Sequence, residues 1–167
     1  MKLDFRFVVL ASVFIFGALE VQASNLPDCL KKNSRISENS AQVLEWKRST
    51  NSGYLDRGYI RGRVVSIRPD PTPKTPHLQL IVSIGPTAKD VIEVIHNLEF
   101  GPEPRAQVGS EVVACGDYIT ANKKNGSYAP SPAGAIVHWT HMNPKGKGHE
   151  DGFLEIDGRL YGQEAPR

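Results

Sequence analysis

In VGSEVVACGDYI, residues 108–119, the turn pair Gly109-Ser110 opens a run that reads as a β-strand, and Gly116 interrupts it before the run ends. A strand with an interior glycine is one that bends, and bent strands are what a small barrel needs to close. Working outward, the same pattern recurs. Tyr59–Ile67 partly alternates, and the proline-rich turn Pro69–Pro76 separates it from Leu78–Ile84, which Gly85-Pro86 ends. Val91–His96 and Ala135–Thr140 supply two more strands, and Phe153–Ile156 with Arg159–Tyr161 flank Asp157-Gly158 as a terminal hairpin. Turns separate the five main strands, with no β-helix-β alternation. The expectation is therefore an all-β fold, an OB-like antiparallel five-stranded barrel, with a β-sandwich as the alternative. A short helix is expected ahead of it over Ser37–Arg48, with Ser37 or Asn39 as its cap.

The N-terminus reads differently. Lys2 and Arg6 precede the apolar run FVVLASVFIFGAL, and Val21-Gln22-Ala23 is a small-x-small cleavage site. That is the pattern of a secretory signal peptide over residues 1–23, leaving no membrane span once it is removed. The division expected is a signal over 1–23, a helical or irregular segment over 24–57 and the OB-like domain over 58–167. Export places Cys29 and Cys115, the two cysteines, where they can form a disulfide. Formal net charge is +2, too weak for electrostatics to drive nucleic-acid binding. Tyr54, Tyr59, Tyr118 and Tyr128 form no pattern that suggests a base-stacking platform. A monomer is expected.

Chemistry concentrates in AIVHWTHMNPKGKGHEDGF, residues 135–153, which holds three of the five histidines. His138 and His141 form an H-x-x-H, and His149 returns across the Lys145–Gly148 loop. In a strand such spacing points two side chains to opposite faces, so they meet at one ion only where the chain turns. With that turn, His138, His141 and His149 are candidate ligands of a divalent transition metal. Each histidine alone also fits a hydrogen-bonded turn with an apolar Trp139 beneath it, and Trp139 is expected in the core with His138 and Thr140 facing the other way. His77 and His96-Asn97 stand at strand ends. Converging on one rim, they would join Thr140, His138, His141 and His149 in a polar ligand site. A histidine there could act as a general base oriented by Asp117, Glu150 or Asp151. No G-x-S-x-G is present, and the two lysines of the Lys145–Gly148 loop read as a solvated loop.

The order Val94-Ile95-His96-Asn97, Val108-Gly109-Ser110-Glu111-Val112, Gly116-Asp117-Tyr118, then His138-Trp139-Thr140-His141 with Pro144, Gly146, His149 and Gly152, resembles the bacterial family called domain of unknown function 3465. The resemblance runs from about Gly58 to Tyr161 and also takes in His77. It departs from the family pattern at Met142-Asn143, where His-Asp stands, by one extra residue before His149, and at Phe153 and Ile156, where Trp and His stand. The resemblance implies small exported proteins with an OB-like β fold and supplies no activity. Two functions follow as expectations. One is a non-catalytic binding module for an oligomeric polar molecule or partner; the other is a metal-assisted hydrolase of the phosphodiesterase or nuclease kind, using His138, His141 and His149.

Export predicts a mature chain that starts at Ser24. N-terminal sequencing of periplasmic or secreted protein should read Ser24-Asn25-Leu26, and material still starting at Met1 would contradict it.

Overall fold

The computed structural model describes residues 26–70, 75–126 and 128–166, so the expected signal segment lies outside the described residues. The elements run β1 (Leu30–Lys31), β2 (Ser34–Arg35), α1 (Ser40–Ser49), β3 (Leu55–Arg68), β4 (His77–Ser83) and β5 (Val91–Asn97). They continue with β6 (Glu111–Thr120), β7 (Ala135–His138), β8 (Phe153–Ile156) and β9 (Arg159–Tyr161). The fold is mostly β, as expected, with one short helix. Seven strands form one sheet in the order β3-β4-β5-β7-β6-β8-β9, and β6 also pairs with β3, so five strands curl into a partial ring of OB-like order. A small β1–β2 hairpin, not anticipated from the sequence, turns at Lys32 and Asn33, both with positive φ.

The ring is not wholly antiparallel. β5 runs parallel to β7, through Glu93 opposite Ile136 and Val94 opposite Val137, while its other pairings are antiparallel. An odd number of strands makes this unavoidable, because directions that alternate around a ring of five must coincide at one seam. The core lies inside the curl and is filled by alternate residues of each strand, among them Ile60, Val64, Leu80, Val82, Ile92, Val94, Val112, Ala114, Tyr118 and Val137.

The strand that suggested the fold is its hub. β6 pairs with β3 along one edge, and its other edge is shared between β7 and β8. Gly116 lies opposite Gly58, and a side chain at Gly116 would run into the carbonyl of His138. The glycine therefore permits the end of β7 to approach β6 closely.

α1 starts three residues later than expected. Asn39 is the N-cap residue but makes no side-chain cap bond. Its amide instead donates to Arg57 O at 3.0 Å and accepts from Tyr59 N at 2.7 Å, which ties the helix start to β3. Val43 and Leu44 bury the inner side of the helix, and Trp46 packs on Tyr118 with ring centroids 5.3 Å apart.

Cys29 and Cys115 are bonded, with Cα atoms 5.7 Å apart. Val113 and Phe153 pack around the bridge, with Leu26, Ile36, Tyr59 and Leu160 at its margin. The bridge closes a sequence separation of 86 residues, so its loss should cost about 3 kcal/mol, largely through greater freedom of the unfolded chain. Urea unfolding of the Cys29→Ser, Cys115→Ser double variant should show that decrease. Thiol titration of denatured, unreduced wild type should find no free thiol.

Candidate functional site

All five histidines gather at one end of the curled sheet. His77 opens β4, directly opposite Asn97 at the end of β5, and His96 lies opposite Leu78. His138 ends β7 opposite Asp117 of β6. The ring centroids of His77 and His138 are 5.7 Å apart, and those of His141 and His149 are 5.3 Å apart. These are the histidines that the sequence offered for a common rim. Of the two non-histidine members, Thr140 is fully buried and bonded to His96, whereas Asn97 turns its side-chain oxygen onto the N–H of Glu99.

Trp139 does not enter the core. The strand stops at His138 because Trp139 takes a left-handed backbone, φ 51°, which breaks the alternation that would have pointed its side chain inward. It is only partly buried. Its ring stacks on His138 (4.6 Å, 25°) and on His149 (5.4 Å, 17°). Thr140 takes the inward place instead. Trp139 is thus a wall of the histidine cluster, and the expectation that Thr140 faces outward with His138 is corrected with it.

Main-chain carbonyls orient three of the rings. Nδ1 of His96 lies 3.1 Å from Thr140 O and 2.9 Å from its Oγ1; Nδ1 of His141 lies 2.7 Å from Met142 O; Nδ1 of His149 lies 2.9 Å from Glu150 O. A carbonyl only accepts, so Nδ1 carries the proton in each neutral ring and the lone pair sits on Nε2. The carboxylates expected to orient a general base have other partners. Asp117 holds Arg57 at 2.7 Å, Asp151 accepts Asn143 N at 2.5 Å, and Glu150 accepts Asn33 N at 3.0 Å. His77 approaches a carboxylate, with Nδ1 4.0 Å from Asp70 Oδ2.

Three of the rings are biased towards the neutral form. Burial, reinforced by the neighbouring imidazoles, lowers the pKa of both His96 and His138 to about 4, and burial lowers that of His141 as well. Among the described residues no group of three or more His, Cys, Asp or Glu side chains is disposed to hold a metal ion, so His138, His141 and His149 do not form one ligand set.

Two contributors were not legible in the sequence. Phe100 stacks on His141 at 3.6 Å and 15°, from a loop with no pattern pointing to the site. Gly162 closes the cluster from beyond the last strand. A Cβ there would lie 2.7 Å from Thr140 O and 2.9 Å from His96 Cε1. The tyrosines give no stacking surface: Tyr118 is buried, Tyr54 packs with it and Trp46, Tyr59 packs on Phe153, and Tyr128 stands exposed elsewhere. The Lys145–Gly148 loop is solvent-exposed, as expected.

The histidines make stability depend on pH in a definite direction. Folding depresses the pKa of His96 and His138 from 6.5 to about 4, so the unfolded chain binds protons that the folded chain refuses. Their contribution is complete above pH 6.5 and is lost as pH falls towards 4, at about 3 kcal/mol for each ring. Urea midpoints measured in chelator-treated buffer should fall across that window. His96→Asn should flatten the slope by roughly one proton; an unchanged slope would refute the assignment.

No curated protein and no solved structure matches the chain. A family match covers residues 57–162, from the buried arginine of β3 to the glycine that closes the histidine cluster, under the description protein of unknown function (DUF3465). The chain belongs to that family.

Proposed function

We propose that this protein is an exported, monomeric binding module whose site is the histidine-lined end of the OB-like sheet, and that it takes a polar oligomer or a polar partner segment. The observation that supports it is the gathering of five imidazoles from β4, β5, β7 and the following loop, three of them oriented by main-chain carbonyls. Such burial lowers stability in mild acid. Groups that cost stability and are nonetheless clustered mark functional sites more often than structural ones. Neutral rings with free Nε2 atoms accept hydrogen bonds, which suits hydroxyl- or amide-rich ligands. OB-like sheets commonly bind oligomers, an analogy at the level of fold. Export rests on the N-terminal pattern and agrees with a buried disulfide.

The hydrolase reading is less well supported. A catalytic metal needs about three protein donors around one point with a position left for water. The described histidines do not present that arrangement. Nucleic acid is a weaker candidate than other polar oligomers, because the net charge is only +2 and no row of aromatics is exposed among the described residues.

Carbon–proton NMR of the imidazoles, with a panel of oligosaccharides, single-stranded oligonucleotides and polar peptides, tests the reading. At least one member should shift the His138 and His149 resonances saturably, and His138→Gln should weaken it about tenfold or more while the fold is kept. A panel that moves no imidazole resonance, or binding indifferent to His138→Gln, would overturn it.

A further inference from the structure

The end of the sheet away from the histidines holds a cavity of its own. β4 and β5 meet there with Ser83 opposite Val91, whereas His77 opposite Asn97 marks the histidine end. At about 3.3 Å per residue, the length of β4 puts about 20 Å between the two ends. A groove of about 660 Å³ opens between the last turns of α1, the β4–β5 loop and the β6–β7 loop. That is room for a small organic ligand.

The charges that line the groove do not balance. Lys47, Arg48 and Lys89 stand against a single carboxylate, Asp90. Asp90 is buried and engaged at both oxygens. Oδ1 accepts from Arg48 at 2.9 Å, and Oδ2 accepts the N–H and hydroxyl of Thr87 at 3.0 and 2.8 Å. The ammonium of Lys47 is held by the carbonyls of Lys89, at 2.7 Å, and Val91, at 2.8 Å, which carry no formal charge. Burial lowers the pKa of Lys47, so its charge is kept there at a cost. Those contacts leave Lys47 one N–H donor and Arg48 four. Complementing the dipole of α1 would require neither the enclosure of Lys47 nor Lys89, which lies on another segment. Leu44, Val91 and Pro132 give the groove an apolar side. A phosphate monoester carries nearly two negative charges near pH 7, which matches the excess of three cations over one carboxylate. We propose that this groove is a second ligand site, which takes a small phosphate monoester with an apolar body and holds its phosphate with Lys47, Arg48 and Lys89. The inference is independent of the histidine-lined end.

Amide NMR of the mature, disulfide-intact protein titrated with phenyl phosphate at low salt tests it. The Ala88, Lys89 and Gly134 amides should shift saturably, with a Kd of about 1 mM or tighter. Benzoate and inorganic phosphate should each bind at least about threefold more weakly, and benzyl alcohol should leave those amides in place. Lys89→Gln, at an exposed position that keeps the fold, should weaken binding about threefold or more, and Lys47→Gln should do the same. Lys145→Gln removes the same charge from the exposed loop at the other end and should leave affinity unchanged. Shifts that fail to saturate, an equal response to benzyl alcohol, or binding indifferent to Lys89→Gln would overturn the proposal. Benzoate or inorganic phosphate bound as tightly as phenyl phosphate would overturn it too.

Discussion

The guanidinium of Arg57 is the contact on which the site depends. It is only 2% exposed, and it sits in β3 opposite Asp117 of β6. One nitrogen donates to Asp117 Oδ1 at 2.7 Å; another donates to the carbonyl of Asp151 and lies 3.2 Å from the sulfur of Cys115. A charge so enclosed is tolerable only while its partners stay in place. Removing one partner of a buried pair typically costs about 3–5 kcal/mol. Arg57 thus couples three things that the chain brings in separately: the β3–β6 seam, the disulfide and the loop that carries His149. Its Nε has no hydrogen-bond partner among the described residues, so the contact is not fully satisfied even here.

From that anchor the loop is pinned residue by residue. Asp151 accepts the N–H of Asn143, the Asn143 amide donates to the carbonyls of Lys147 and His149, and Gly152 N donates to His141 O at 2.8 Å. Met142 N donates in turn to Gly162 O at 2.7 Å. The lysine- and glycine-containing tip projects into solvent, while both of its feet are held. His141 and His149 therefore stand on a preorganised frame, although they lie outside regular strands. Preorganisation of this kind limits the ordering cost when a ligand binds.

Much of this was legible in the sequence, and the part that was not has a physical reason. Alternation and turn residues identified the main strands, and Asp157-Gly158 identified the last hairpin, since both signals are local. The five histidines were legible as a set because strand ends at His77, His96 and His138 must meet on one rim once the sheet curls. Trp139 was misread. A large aromatic in an apparent strand belongs inside by alternation, but a positive φ at that residue ends the alternation, and nothing in a β-favouring Trp announces it. The parallel seam follows from counting strands in a ring. Phe100, Gly162 and Arg57 act only across long sequence distances, where periodicity carries no information.

The family match begins at residue 57, yet support for the site begins earlier. Cys29 reaches β6 through the disulfide, and the turn of the β1–β2 hairpin places Asn33 N on Glu150 Oε1, next to His149. Lys31 pairs with Asp56 at 2.5 Å, which lays the same hairpin along the start of β3. The leading segment is thus a brace against the histidine loop as well as a lead-in to the sheet. Isolated two-residue strands are too short to persist alone. The hairpin is held by the covalent bridge on one side and the loop on the other. The segment before the family match thus braces the loop that carries His149.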